Sequence, residues 1–262
     1  EATDRVRHET GPLTRARPAC PALAADRRRI LRALPRSAYS GPMQTGHVVY
    51  KVRDLDAAVA DFRSRGFVVE YGAVRRPKNA LIYFSQGPYL ELLVRTGMPR
   101  PVLRALAALP ANPARRFNAW ERGPQGLCGL CLEGKDKELD AVVARLHGRG
   151  LLVSPTRVDP HGRHLRYRAF FPADLDLPFF MTHFSVDPRP ADLTHPNGIR
   201  SIAQVDLPLE GPRRTFVSRL CDDGVLRCVP ADGTMRVVFD DGTELREPGP
   251  GAGHGPAGRK GR

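Results

Sequence analysis

Two stretches of this chain repeat one another, and that repeat limits the possible folds more than any other feature. In "GHVVYKVRDLDAAVADFRSRGF", Gly46 to Phe67, the residues Leu55, Ala58, Val59 and Phe62 recur at i, i+3, i+4 and i+7, one face of an amphipathic helix. Asp54 stands at the N-cap position and Gly66 where a helix should stop. In "KELDAVVARLHGRGLLV", Lys137 to Val153, Leu139, Val142, Val143 and Leu146 take the same four places, and Arg149-Gly150-Leu151 repeats Arg65-Gly66-Phe67. A strand-like run precedes each helix, "HVVYKV" and "GLCGLCLE". Three follow: "FVVEYGAV", "ALIYF" and "YLELLV" in the first copy, "LLVSPTRV", "HLRYRAFF" and "PFFMTHFSV" in the second. The chain therefore reads as two β-α-β-β-β units.

Each helix covers one face of its own four-stranded sheet, and the other faces can join into a concave cup. Side chains alternate along a strand. With Val48, Tyr50 and Val52 under the helix, His47, Val49 and Lys51 face the cup; with Leu90, Leu92 and Val94 under the helix, so does Glu91. A carboxylate inside an apolar strand must be paired, solvated or neutralised. Glu91 can thus be a metal ligand, a general base with its pKa raised by burial, or the partner of Lys51 or Arg168. The bland alternative for His47 is a hydrogen-bonded core or rim histidine.

Paired units with the opening "GHVV…DLDAAVADF" and the closing "YLEL" resemble the vicinal oxygen chelate superfamily, and within it the glyoxalase-like domain group. "KNALIYF" and "LPFFMTHFSV…HPNGIRSI" extend the resemblance, which runs from Met43 to Ile202. It implies an α+β fold of the glyoxalase/bleomycin resistance/dioxygenase-like type, with a divalent metal held by residues of the first and fourth strands of each unit. His47 and Glu91 match the places in unit one, where they suit Zn, Mn, Fe or Ni. Unit two departs from the pattern. Its first-strand place falls on Leu127 or Cys128 and its fourth-strand place on Thr182 or Met181, and His183 reaches the cup only if Met181 is the match for Glu91. The expected site is then His47 and Glu91 as metal ligands, Glu91 and Lys51 as catalytic groups, and Asn79, Trp120, Thr182 and His183 around a small-molecule ligand. The reaction implied is of lyase, isomerase or dioxygenase type on an oxygen-bearing metabolite. The alternative is a drug-resistance-like protein that sequesters a ligand without chemistry.

The remaining expectations concern organisation. Residues 1–42 are an arginine-rich extension ahead of Met43, nine arginines against four acids, and 247–262 a Gly/Pro-rich basic tail. Between them lie module one (43–95), a linker (96–125) with a helix from Pro101 to Leu109 and then an irregular crossing, and module two (126–190). Residues 191–246 read as a reduced third β-α-β-β unit, with Ser201 near the His47 place, that extends the sheet or supports a homodimer. Much of the net charge of +13 sits in the two ends, and no basic stripe interleaved with aromatics appears between them, which argues against nucleic acid. No apolar run approaches about 18 residues, which argues against a membrane span. Five scattered cysteines form no disulfide framework and suit a cytoplasmic protein. Cys128 and Cys131 form a CxxC, but on a strand their side chains point to opposite faces, which argues against a zinc knuckle or thioredoxin-type site; Cys221 and Cys228 read as small apolar packers. The loop Asp159–His164 reads as a solvated loop able to cover the cup mouth. The arginine-rich composition, which high-GC coding produces, points to a bacterial source.

Overall fold

The computed structural model describes residues 42–109 and 114–246. Module one runs β1 (Gln44–Lys51), α1 (Leu55–Ser64), β2 (Glu70–Tyr71), β3 (Asn79–Ile82), β4 (Tyr89–Leu93). The linker holds two helices, α2 (Arg100–Ala107) and α3 (Arg115–Arg122), so the segment read as irregular after the first helix contains a second. Module two runs β5 (Gly126–Gly134), α4 (Asp136–Arg145), β6 (Gly150–Val153), β7 (Thr156–Val158), β8 (His164–Arg166), β9 (Ala169–Pro172), β10 (Phe179–Thr182). The third unit is β11 (Ile202–Pro208), α5 (Gly211–Leu220), β12 (Leu226–Val229), β13 (Arg236–Phe239), β14 (Glu244–Arg246).

The two modules share one eight-stranded sheet in the order β2-β3-β4-β1-β5-β10-β9-β6. β1 and β5 join antiparallel at its centre, while the first and last strands of each module pair in parallel, β1 with β4 and β5 with β10. One face of this sheet carries Val48, Leu90, Leu92, Leu130, Leu132 and Phe180, all buried under Leu55, Val59 and Phe62 of α1 and Leu139 and Val142 of α4. At about 25 cal/mol per Å² of apolar surface, this contiguous core is the main stabilising term. Asp54 caps α1 by accepting the Ala57 N–H at 3.0 Å. Gly66, at φ +80°, ends it in a left-handed turn closed by the Phe67 N–H on the Phe62 carbonyl.

Module two departs from the repeat in two places. Gly150 does not end its helix: α4 stops at Arg145, and the left-handed residues are His147 and Gly148. Gly150 opens β6, where a Cβ would run into the Phe171 carbonyl and the Phe170 ring. The two middle strand segments are also each broken in two. Pro155, with no N–H for a ladder, separates β6 from β7, and β7 and β8 form their own two-stranded ribbon.

The third unit has one strand more than expected and a different strand order, β12-β11-β13-β14, with β11 and β12 adjacent and parallel. It packs on the helix side of the large sheet. Phe239 meets Phe67 and Phe84 at ring distances of 5.5 and 5.8 Å, Phe216 meets Phe180, and Met43 bridges to Cys221. Among the described residues no helix is long and apolar enough to cross a membrane.

Candidate functional site

The cup face is centred on the β1–β5 seam, where two bulges set the side chains. Thr45 pairs with Leu132 and His47 with Cys131, leaving Gly46 as an extra residue; Val49 pairs with Gly129 and Tyr50 with Leu127, leaving Cys128 extra. The second bulge turns Cys128 towards the same side as Cys131, so the two cysteines do not point to opposite faces as strand alternation predicts. The first bulge places Gly46 against Glu133. A Cβ on Gly46 would overlap the Glu133 Cγ and Cδ atoms, so Gly46→Ala is expected to cost about 1–3 kcal/mol by overpacking. Urea unfolding of that variant checks it, and an unchanged midpoint would show that Glu133 gives way without cost.

His47 lies between two carboxylates. Its Nδ1 is 3.0 Å from Glu133 Oε1 and its Nε2 is 3.5 Å from Glu91 Oε2, with side-chain exposures of 4 % for the histidine, 13 % for Glu133 and 17 % for Glu91. The Asn79 amide donates to Glu91 Oε1 at 2.6 Å. His183 Nδ1 stands 3.7 Å from Glu133 Oε2. Tyr89 stacks on the imidazole with centroids 4.6 Å apart, and Phe179 meets it edge-on at 5.3 Å. The polar cluster is thus walled by aromatic rings.

Burial opposes charge on all three groups, and their mutual contacts outweigh it. The His47 pKa is raised well above the ordinary value against that burial penalty, by Cys131, Glu133 and Glu91. The two carboxylates are the cause that operates at neutral pH, because burial pushes the Cys131 thiol itself up to about 12 and leaves it uncharged. Glu133, penalised by burial but bonded to His183 and His47, falls to about 2. Glu91 is lowered in the same way by His47 and Asn79. An imidazolium between two carboxylates is therefore the state this constellation favours.

The structure brings His47, Glu91, Asn79 and His183 together. It does not bring Lys51 or Thr182 to them. The Lys51 ammonium, at the far end of β1, is tied to the Val94 carbonyl at 2.6 Å. Thr182 Oγ accepts the Arg168 N–H at 2.9 Å, and the Arg168 guanidinium pairs with Asp136 and Asp140 of α4, away from Glu91. Trp120 lies over Gly129, donates to the Cys128 carbonyl at 3.0 Å and meets Phe179 at 5.4 Å, which places it in the cup lining at the bulge.

The first-strand place of module two is Cys131, not Leu127 or Cys128: Cys131 opposes Phe179 as His47 opposes Tyr89, and Met181 then takes the place of Glu91. Glu133, the residue sequence reasoning missed, sits where module one has Val49. The signal was present. Leu55 and Leu139 are 84 positions apart, and the same step carries His47 to Cys131 and Val49 to Glu133. Module two thus supplies from its first strand the carboxylate that its fourth strand lacks.

Arg157 was also missed. It lies on β7, its Nη1 is 3.4 Å from the Gly72 carbonyl across the sheet edge, and despite burial its charge is favoured by Tyr83, Tyr89 and Glu91. Burial lifts Tyr83 to about 12 against the pull of Arg157. At the ribbon tip His161 Nε2 pairs with Glu70 Oε1 at 2.6 Å, so the loop of Asp159–His164 reaches the edge of module one. Beside it lies a cavity of about 670 Å³, lined by Val69, Leu81, Tyr83, His161 and Leu193. His47 does not line this cavity; Tyr83 packs on Tyr89 at 5.1 Å and Tyr89 on His47, so two tyrosine rings stand between the cavity and the polar cluster.

Residues 46–218 match the family model of the glyoxalase-like domain, a span that runs from within β1 through both modules and into the helix of the third unit. The chain belongs to the glyoxalase-like domain family. Its two β-α-β-β-β modules, side by side in one sheet, have the arrangement that the resemblance in sequence implies. Among solved structures, a hypothetical protein from Staphylococcus aureus is similar at 15 % identity and TM-score 0.43, covering 78 % of this chain and 85 % of its own. Methylmalonyl-CoA epimerase from Mycobacterium tuberculosis is similar at 21 % identity and TM-score 0.32, covering 61 % and 95 %. A variant of the Streptomyces coelicolor methylmalonyl-CoA epimerase, in complex with 2-nitronate-propionyl-CoA, is similar at 20 % identity and TM-score 0.35, covering 53 % and 94 %. No protein of curated function matches.

The resemblance in sequence implies a divalent metal, and the donors in the cup can be tested against one. His47, Cys131 and Glu133 each offer a ligand atom, and these atoms all lie within 4.8 Å of one another. Imidazole nitrogen, carboxylate oxygen and thiol sulfur form a donor set for Zn, Fe or another borderline divalent ion. The set fits, with Glu91 at the opposite ring nitrogen as an alternative oxygen donor.

Proposed function

We propose that the cup is the site of a metal-dependent enzyme acting on a small oxygen-bearing molecule, in a lyase, isomerase or oxygenase reaction. The observation that supports it is the convergence of two part-buried carboxylates on one buried histidine within an otherwise aromatic and apolar wall. A core histidine needs one partner for each nitrogen, and a carbonyl or amide would serve. Two carboxylates carry a desolvation cost that structure alone does not require, and such perturbed clusters mark functional sites. His47 with Glu133 or Glu91, and Cys131 beside them, would hold a divalent ion, which when bound supplies Lewis-acid polarisation of a substrate oxygen.

The chain's own residues do the rest. Glu91 is the more exposed carboxylate and is steadied by Asn79, so it is the group placed to take a proton from a substrate carbon. Arg157 stands on the same side as a counter-charge for an anionic substrate. Tyr89 and Phe179, whose rings lie against His47, would form the apolar wall on which the body of the substrate rests.

Metal analysis by mass spectrometry tests the reading on the full chain purified without chelators. About one divalent ion per chain is expected, with affinity reduced about 10–100-fold by Asn79→Ala, which removes a support of a candidate ligand, and lost in Glu91→Gln/Glu133→Gln. No metal in the wild type after incubation with Zn, Mn, Fe(II) and Ni would overturn it. The reading then favoured is non-catalytic sequestration of an aromatic or apolar ligand by the ring-lined cup.

A further inference from the structure

A second concave site lies in the linker, away from the cup, and its chemistry is different. A cavity of about 690 Å³ opens between α2, α3 and the segment after β4. Five cations line it, Lys78, Arg95, Arg100, Arg104 and Arg122, against one acid, Glu121. That acid is already occupied, since Glu121 Oε1 accepts both the Thr96 N–H at 2.7 Å and the Thr96 hydroxyl at 2.8 Å. Lys78 Nζ bonds the Gly97 carbonyl at 3.2 Å. Among the described residues none of the four arginines has an ion-pair partner, although elsewhere in the protein arginines such as Arg65, Arg163, Arg168, Arg213 and Arg236 are paired with carboxylates.

We propose that this linker cleft binds an organic phosphate. Like charges gathered around a concavity repel one another and focus a positive potential into it, which favours an anion of more than one charge. Guanidinium groups match phosphoryl oxygens in paired hydrogen bonds, which an ammonium-lined cleft would not do as well. The cleft also has an apolar floor of Met98, Leu103 and Ala107. Bare inorganic phosphate has no use for that floor, whereas an organic body attached to the phosphates covers it. The concave shape and its volume suit a small molecule rather than a nucleic-acid backbone, which tracks an extended basic stripe. The site stands independently of the metal reading of the cup.

Calorimetric titration of the full chain at low salt, with ADP as the organic diphosphate and pyrophosphate as the bare head group, tests it. ADP is expected to bind saturably at one site, more tightly than pyrophosphate, and to weaken as salt is raised. Arg100→Ala/Arg104→Ala, both exposed on α2, should weaken ADP by about tenfold or more through the loss of two charge-assisted contacts, screened in part by solvent. Arg214→Ala/Arg219→Ala on α5 should leave the affinity unchanged. Absence of saturable binding would overturn the proposal. So would full affinity in the Arg100/Arg104 variant, which would assign the binding to other basic residues of the chain. Equal affinity for the two probes would overturn the role of the apolar floor.

Discussion

Replacement of His47 by leucine in the metal-free protein is expected to cost about 3–5 kcal/mol, the penalty for removing one member of a buried charged set and leaving the others unpaired. Glu91 and Glu133 would then face each other across an apolar side chain, keeping Asn79 and His183 as their polar side-chain contacts. The pH dependence distinguishes this cause from loss of packing. In the wild type the His47 pKa is raised above 6.5, so its stabilisation is fully present below that value and is lost as pH rises through the raised pKa. Glu133 falls from 4.5 to about 2, so its contribution is present above 4.5 and lost as pH falls towards about 2. In the leucine variant the imidazolium is gone and burial raises both carboxylates. The folded state then takes up protons more readily than the unfolded one, and stability should rise as pH falls from about 7 to about 5. Urea unfolding at both pH values reads it, and adding Glu91→Gln and Glu133→Gln should recover most of the loss. A loss below about 1 kcal/mol, or an unchanged slope with pH, would show that the three groups do not act as a unit.

How much of this was legible follows from how each feature is encoded. The modules are written in two periodicities, 3.6 for α1 and α4 and 2 for the strands, which a single sequence displays directly. His47 and Glu91 could be placed on the cup face because alternation is regular over His47–Lys51 and Tyr89–Leu93, beyond the bulge at Gly46. Glu133 and Cys128 could not, because a bulge inserts a residue and shifts which side chain reaches which face, and nothing in "GLCGLCLEG" announces one. The carboxylate of module two therefore went unread, although the spacing between the two helices located it. Gly150 shows the converse. The Arg-Gly-aromatic or -aliphatic triplet repeats in the sequence, but one glycine serves a left-handed turn and the other a close approach by Phe171. The third unit looked like a shortened copy because its elements come in the same order; strand adjacency, which separates it from the modules, depends on pairings that sequence order does not encode. Arg157 lay in a loop-like stretch with no pattern of its own, and only its approach to Tyr83 and Gly72 marks it.

Trp120→Ala should cost about 3–5 kcal/mol, through lost apolar contact and the cavity left behind. The indole is 8 % exposed and meets Phe117, Phe171 and Phe179 at ring distances of 6.1, 6.1 and 5.4 Å. It also satisfies the Cys128 carbonyl that the bulge withdraws from the ladder. Gly129 has no side chain because the indole occupies that space. Trp120→Phe keeps most of the ring contact and loses the hydrogen bond, which separates the two contributions; about 1 kcal/mol is expected for the bond. Circular dichroism during urea unfolding measures both variants, since Trp120 is the single tryptophan and its fluorescence reports only on proteins that keep it. The consequence reaches the site because Phe179 is shared. Its ring contacts Trp120 on one side and His47 at 5.3 Å on the other, so the alanine variant should also loosen the imidazole and lower metal affinity about tenfold, as loss of other supporting contacts does. A stability loss under about 1 kcal/mol in the alanine variant would mean that the cup holds its shape without the linker. Metal affinity unchanged beside the full stability loss would mean instead that Phe179 does not transmit the contact to His47.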